Sequence, residues 1–230
     1  MPRLLALVIA TSIFGTSTAA FAAPPLEHVR GTVKSISDTT LVIHTTSGTD
    51  ETVNLTGTTG YLTVAKSSFD HIDSGGYIGV ATKSIGDKAV ALGVLLFPPA
   101  MKGALEGHFS WDPIPDTTLS GGATTVSAMT NGTVTAAAPA GGTKTVASAM
   151  TNGTVSHADA SGDAKRITVT YNGGKQNVLV PPTAPVVTVA PGDKSDVTVG
   201  KVVFINAVQQ DGKVSAAAVF VGVNGAAPPI

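Results

Sequence analysis

The chain of 230 residues has no cysteine, and that absence excludes disulfides, thiolate nucleophiles, cysteine zinc sites and a lipid-bearing cysteine anchor. Charge is scarce too: Asp, Glu, Lys and Arg make up 13% of the residues, about half the share usual in soluble proteins. Net charge is -1 and there is no basic run. The dense Lys/Arg phosphate contacts of a nucleic-acid binder are therefore missing, as is a polybasic membrane patch. Aromatic residues make up 5%, so a core must be built mainly from Val, Ile, Leu and Ala. Beyond the first segment no apolar run approaches the roughly 20 residues of a transmembrane helix. The best, Ala89 to Phe97, is short and follows a turn.

What is there begins with an address. Met1-Pro2-Arg3 carries one positive charge, Leu4 to Phe14 is almost wholly apolar, and Ala20-Phe21-Ala22-Ala23 forms an Ala-x-Ala box. These are the three parts of a secretory signal peptide, expected at 1–22 with cleavage after Ala22. The expected protein is exported, periplasmic or secreted in a bacterial setting, and not an integral membrane protein once cleaved. A cysteine-free chain suits an oxidising compartment.

The mature chain is rich in Thr and Val and holds 26 Gly and 14 Pro, the composition of short strands joined by tight turns. From His28 to Ile36, Thr40 to Thr45 and Glu51 to Leu55 it alternates as an antiparallel meander, with turns at Ser37-Asp38 and Ser47-Gly48. Tyr77 to Thr82, a turn at Ile85 to Lys88, and Ala89 to Phe97 read as a hairpin, closed by Pro98-Pro99. The second half replays the first. Asn152-Gly153-Thr154-Val155 matches Arg30-Gly31-Thr32-Val33, and Arg166 to Tyr171, the turn at Asn172 to Lys175, and Gln176 to Val180 match the second and third strands. Thr188-Val189-Ala190 echoes Thr63-Val64-Ala65, and Gly200 to Ile205 with Val214 to Gly222 repeats the hairpin.

Three strands, a variable connection and a hairpin give the order of an OB-type barrel, a sheet closed to remove its edges. The expected fold class is all-β, with two tandem OB-like five-stranded barrel modules at 23–99 and 148–230; a β-sandwich is the alternative. In the first variable connection Ser67 or Ser68 is placed to cap a helical turn. The second has Pro191-Gly192-Asp193 there, so a shorter turn or none is expected.

Between the modules lie a seam, 100–126, and an insertion, 127–147. The seam holds the only tryptophan, Trp111, in the run Gly103 to Thr117. Ser127-Ala128-Met129-Thr130-Asn131-Gly132-Thr133-Val134 recurs letter for letter as Ser148 to Val155. That identity suggests a local duplication of the strand that opens the second module. The spare copy has too little apolar bulk for a core of its own.

Repeated Gly-Thr-Val openings, Asp-Gly-Lys hairpins, the Glu106-Gly107-His108-Phe109-Ser110-Trp111-Asp112 seam and a Pro-Pro end resemble a family of secreted bacterial proteins with OB-like domains of unknown function. The resemblance spans nearly the whole mature chain. It implies the same barrels and no assigned activity. Some similar proteins are labelled metal-transporter components, but this chain lacks the spans a permease needs.

Glu106, His108 and Asp112 are residue types that ligate divalent metals, and Asp70, His71 and Asp73 form a second acidic cluster that could share an ion with the seam. The competing reading has solvated loop residues and Trp111 wedged between modules, with Trp111, His108 and Asp112 as interdomain or ligand contacts. No Gly-x-Ser-x-Gly elbow or His-Glu-x-x-His motif occurs, and carboxylates sit singly on turns. His28 and His44 are expected at exposed sheet positions, and the Asn-Gly pairs at hairpin turns. The expectation is a non-enzymatic binding or assembly module of the cell envelope, taking an envelope protein, a peptide or a glycan and requiring no cofactor. A periplasmic metal-binding accessory protein is the alternative and an enzyme the third reading.

Overall fold

The computed structural model describes residues 26–85, 87–116, 124–125, 128–132, 148–161, 164–210 and 212–230. The signal segment 1–22 and most of the insertion lie outside these. The described chain is all-β. The first half contributes β1 (Leu26–Ile36), β2 (Thr40–Thr45), β3 (Asp50–Asn54), β4 (Gly60–Lys66), β5 (Tyr77–Ile85) and β6 (Lys88–Phe97). The seam carries β7 (Gly107–Ser110), β8 (Ile114–Pro115) and β9 (Thr124–Thr125). Then come β10 (Ala128–Gly132), β11 (Ser148–Ser161), β12 (Ala164–Tyr171), β13 (Gly174–Val180), β14 (Val186–Pro191), β15 (Val202–Gln210) and β16 (Lys213–Gly222).

Local chemistry sets these elements. In β2, Leu41 and Ile43 point inward and their neighbours outward, the period-2 pattern of a half-buried strand. At the preceding turn the Ser37 hydroxyl accepts the Thr40 amide at 3.0 Å. β5 and β6 differ: Tyr77 to Lys83 and Ala89 to Leu95 are buried on both faces, so their apolar residues run on without alternation.

Fourteen strands join one large sheet, and β8 with β9 forms a separate ribbon. Within the large sheet the pairings make two circuits. One runs β1–β2–β3–β16–β15 and back to β1, with β3 meeting β16 at a single pair, Asn54 opposite Ser215. The other runs β11–β12–β13–β6–β5 and back to β11. Each circuit thus takes three strands from one half and its hairpin from the other half. The boundaries 23–99 and 148–230 mark sequence repeats, while each circuit draws on both.

β4 and β14 cross-link the circuits. They pair antiparallel with Val64 opposite Val189; β4 runs parallel to β16, and β14 parallel to β6. Three apolar clusters follow. Val33, Leu41, Ile43, Val53 and Ile205 are among those filling the first circuit, and Val80, Val155, Ile167, Val169 and Val178 the second. A third cluster lies between them, around Val64, Leu95, Val189, Phe204 and Phe220. Each large aliphatic side chain so buried contributes about 1.5–3 kcal/mol.

Three local expectations change. The turn capped by Ser68, Phe69–His71, has a counterpart of equal length at Lys194–Asp196, because the Asp196 carboxylate accepts the Asp193 amide at 2.8 Å. The Asn152-Gly153 pair lies inside β11 and not at a turn, since neighbouring strands occupy both sides of it. The His28 side chain is only 10% exposed, covered by Trp111. His44, by contrast, is exposed. Among the described residues no helix is long and apolar enough to cross a membrane.

Exchange of hairpins predicts how the halves part. With a protease site placed at Gly141-Gly142, cleavage should leave two fragments that co-elute on gel filtration and separate only in denaturant. Fragments that separate in native buffer would mean that each half closes on itself.

Candidate functional site

The seam is positioned by a series of contacts that alternate between the two circuits. Its first part docks on the second circuit. The Tyr77 hydroxyl donates to the Ala104 carbonyl at 2.8 Å and the Asn152 amide to the Leu105 carbonyl at 2.7 Å. The Glu106 carboxylate accepts the Asn172 backbone amide at 2.7 Å. His108 Nδ1 lies 2.9 Å from the Thr151 hydroxyl, and its ring stacks over Tyr171 at 6.0 Å. Burial holds the His108 imidazole below its usual pKa, and burial with the charge of Glu106 pushes the Tyr77 phenol up. Gly107, at φ +150°, lies under the Phe109 ring; a Cβ there would come within 2.4 Å of it, so any other residue would have to displace that ring and adopt a backbone conformation that glycine favours.

The next residues cross to the first circuit. Trp111 lies over His28 at 4.0 Å between ring centroids, tilted, and 5.9 Å from Phe204. The Asp112 carboxylate takes hydrogen bonds from Arg30 at 2.7 Å and His28 at 2.9 Å. The Arg30 guanidinium also sits 5.0 Å from the Phe204 ring centroid, a cation–π arrangement. Burial alone would raise Asp112, but the hydrogen bonds and charges of His28 and Arg30 outweigh it and hold the carboxyl at about 2. The seam then returns to the third cluster through Ile114 and ends in a buried ion pair, Lys83 Nζ to Asp116 at 2.5 Å, with side chains 5% and 1% exposed.

The tail completes the site. Ala226 to Ile230 crosses the same face. Arg30 Nε donates to the Ile230 carbonyl at 2.8 Å, Pro229 packs against Gly93, and the Ile230 side chain is buried. A cavity of about 240 Å³ lies here, lined by Arg30, Ile114, Phe204, Pro228, Pro229 and Ile230 among others. A wider open cleft, about 740 Å³, adjoins it along Lys66 to Phe69 and Pro182 to Val187, with Ala227 to Pro229 as one wall. Around the Arg30–Asp112 pair, Arg30 Nη2, Trp111 Nε1 and Asn206 Oδ1 are buried without a hydrogen-bond partner among the described residues.

The sequence candidates therefore divide. Trp111 and Asp112 meet the first circuit, whereas Glu106 and His108 meet the second. Asp70 and His71 stay with their own capped turn, where the Ser68 hydroxyl accepts the Asp70 amide and His71 Nδ1 lies 3.1 Å from the Ser67 hydroxyl. Asp73 accepts the Gly76 amide through its backbone carbonyl. Among the described residues no three His, Asp or Glu side chains are close enough to hold a metal ion together. Sequence reasoning missed His28, Arg30 and Phe204. The only available signal was their alternation on β1 and β15, out of phase with the inward valines.

No family model matches the chain, and no curated protein and no solved structure shows significant similarity to it.

Two substitutions test the seam. Asp112 has a folded pKa below its ordinary 3.8, so its contribution is complete above that value and fades as pH falls toward 2. Because the carboxylate is partly exposed, that contribution is about 1 kcal/mol after screening. Asp112→Asn should lose it in urea unfolding at neutral pH and match the parent near pH 2. Trp111→Ala should cost about 2–3 kcal/mol, the lower end for a large aromatic, because the ring is only partly buried. A change within about 0.5 kcal/mol would make the ring a surface platform instead.

Proposed function

We propose that the two circuits are OB-like barrels and that the protein is an exported, non-enzymatic binding module of the cell envelope whose ligand is a proline-containing apolar peptide segment. The circuit order, three meander strands then a hairpin returning beside the first, supports the barrel reading, as does the resemblance to secreted proteins with OB-like domains. One observation carries the ligand. The groove beside Arg30 and Phe204 already holds such a peptide in cis, the chain's own Ala226-Ala227-Pro228-Pro229-Ile230. Two successive prolines hold that segment extended without needing its own amide bonds. Aromatic-lined grooves suit this conformation because little entropy remains to be lost on binding.

Polar chemistry agrees with that assignment. Arg30 gives Nε to a peptide carbonyl, and Arg30 Nη2 and Trp111 Nε1 are further buried donors beside it. Asp112 already neutralises Arg30, so the groove favours a neutral acceptor such as a carbonyl over a second carboxylate. The adjoining open cleft, flanked by Phe69 and Pro182, extends the same surface. The ionisable seam groups are engaged in pairs that join strands, which favours binding over catalysis.

The test uses the peptide Ala-Ala-Pro-Pro-Ile with the parent and with a variant ending at Gly225. Calorimetry should show binding to the shortened chain at micromolar affinity, about tenfold weaker binding after Arg30→Gln, and weaker binding to the intact chain, whose own tail competes for the groove. Absence of binding to the shortened but folded chain would reject the reading.

A further inference from the structure

The hairpins that end the two sequence repeats, β5–β6 and β15–β16, can be laid on one another residue by residue. In the first, Ile78 lies opposite Leu96, Val80 opposite Val94 and Ala81 opposite Gly93, after which the register slips and Thr82 meets Ala91. In the second, Val203 lies opposite Val221, Ile205 opposite Val219 and Asn206 opposite Ala218. The register then slips at the same step, with Ala207 opposite Ala216. The offset between the copies is constant, so Gly93 corresponds to Ala218 and Phe97 to Gly222. Each slip is a β-bulge, in which two residues of one strand oppose one of the other. In β6, Ala91 and Val94 face the core of the second circuit while Leu92 faces the third cluster, so Gly93 is turned outward beside Leu92. Ala218 makes the same bulge with a Cβ in place, and Gly93 does not have a positive φ. The bulge therefore does not require glycine at this position.

What lies on Gly93 is the tail. A Cβ here would come within 2.8 Å of both the Pro229 Cβ and the Pro229 carbonyl oxygen, and 3.3 Å from the Pro229 Cγ. Those neighbours are a ring and a backbone, and neither swings aside as the end of a long side chain would. Gly222 repeats the pattern from the other hairpin. A Cβ there would meet the Ala226 carbonyl oxygen at 2.0 Å, and the sister strand carries Phe97 in its place. Glycine inside a strand marks a close approach by a ligand or another backbone. Two such places, each with a side chain in the other copy, thus lie under Ala226 and Pro229. We propose that Gly93 is a specificity determinant of the groove, the floor of a subsite that reads a proline at the fourth position of a bound Ala-Ala-Pro-Pro-Ile segment. The subsite rests on the assignment of the groove to a peptide of that kind. Proline suits it for two reasons. Its ring carbons supply the apolar contact with the bare floor, and it brings no N–H that would need an acceptor there. Alanine at the fourth position would leave the floor partly empty and add an amide donor. In the other hairpin the methyl of Ala218 occupies the equivalent place.

Two measurements on the intact chain test this. Thermal unfolding compares the parent with Gly93→Ala, Pro229→Ala and the double variant. Gly93→Ala should lower Tm by roughly 3–10 °C, the range for an overpacked contact in a chain of this size. The double variant should lose clearly less than the two single losses together, because the methyl and the ring compete for one place. Losses that add, or a silent Gly93→Ala, would overturn the proposal. The second measurement leaves Gly93 as it is. Calorimetry on the Pro229→Ala chain, whose own tail fills the subsite poorly, compares the peptides Ala-Ala-Pro-Pro-Ile and Ala-Ala-Pro-Ala-Ile. The first should bind about tenfold more tightly, as expected for about two further buried carbons. Equal binding of the two would overturn the subsite and leave the groove assignment standing. Binding of neither would reject the groove assignment and the subsite with it.

Discussion

The pairing of Val64 with Val189 is the contact on which the rest of the architecture depends. Both valines are fully buried, and they sit in the same Thr-Val-Ala triplet. The register sets Thr63 opposite Ala190 and Ala65 opposite Thr188, so the strand pairs with its own repeat about a local two-fold. Such a self-complementary contact is how identical subunits meet in a dimer. Here one chain supplies both partners. With β4 and β14 so joined, the parallel neighbours of each, β16 and β6, come from the opposite half in both cases. Hairpin exchange and the central ribbon are therefore one arrangement. The outer faces of β5–β6 and β15–β16 are turned toward each other, and the third apolar cluster fills the space between them.

That arrangement sets the task of the seam. Covering two circuits that already interlock requires a strap that touches both, and charged side chains tie it to each. Arg30 with Asp112 fixes it to the first circuit and Lys83 with Asp116 to the second. A buried pair such as Lys83–Asp116 adds little net stability over an apolar one, yet removing one partner strands a charge and costs about 3–5 kcal/mol, whereas the partly exposed Asp112 contributes about 1 kcal/mol. Such pairs define position more than they add strength. Trp111, rare in this composition, packs where the strap crosses from one circuit to the other, and its breadth covers His28 and reaches Phe204 together.

Much of the strand order was legible in the sequence, and the reason is local. Turn residues such as Ser37-Asp38 and Asn172-Gly173 bound β-branched runs, and β2 falls at Thr40–Thr45 as its alternation indicates. The capped turn after Ser68 was legible because a serine hydroxyl has a definite job at a helical start. Which half each hairpin serves was not, because repeats with equal propensity make the close and the exchanged pairings nearly equivalent in local terms. His28 and Arg30 were hidden for a related reason. Strand alternation marks a face as outward but does not say that another segment covers it, and here Trp111 and Ile230 do. Asn172-Gly173 forms its turn, but Asn152-Gly153 misled because turn chemistry is a preference of isolated chain, and in β11 the Asn152 amide finds the Leu105 carbonyl instead.

Repetition with few aromatics and few charges leaves a chain short of features that choose one partner over another. Val, Thr and Ala at period 2 fit many strand edges, and register is only as specific as the side chains that read it. The residues that occur once or seldom carry the choice: Trp111 on His28, Arg30 between Asp112 and Ile230, Lys83 on Asp116. The first two lie where seam and tail meet, and the third ties the end of the seam to β5. The side chains able to discriminate between partners are thus concentrated where the seam crosses the two circuits, and the proposed binding role rests on that surface.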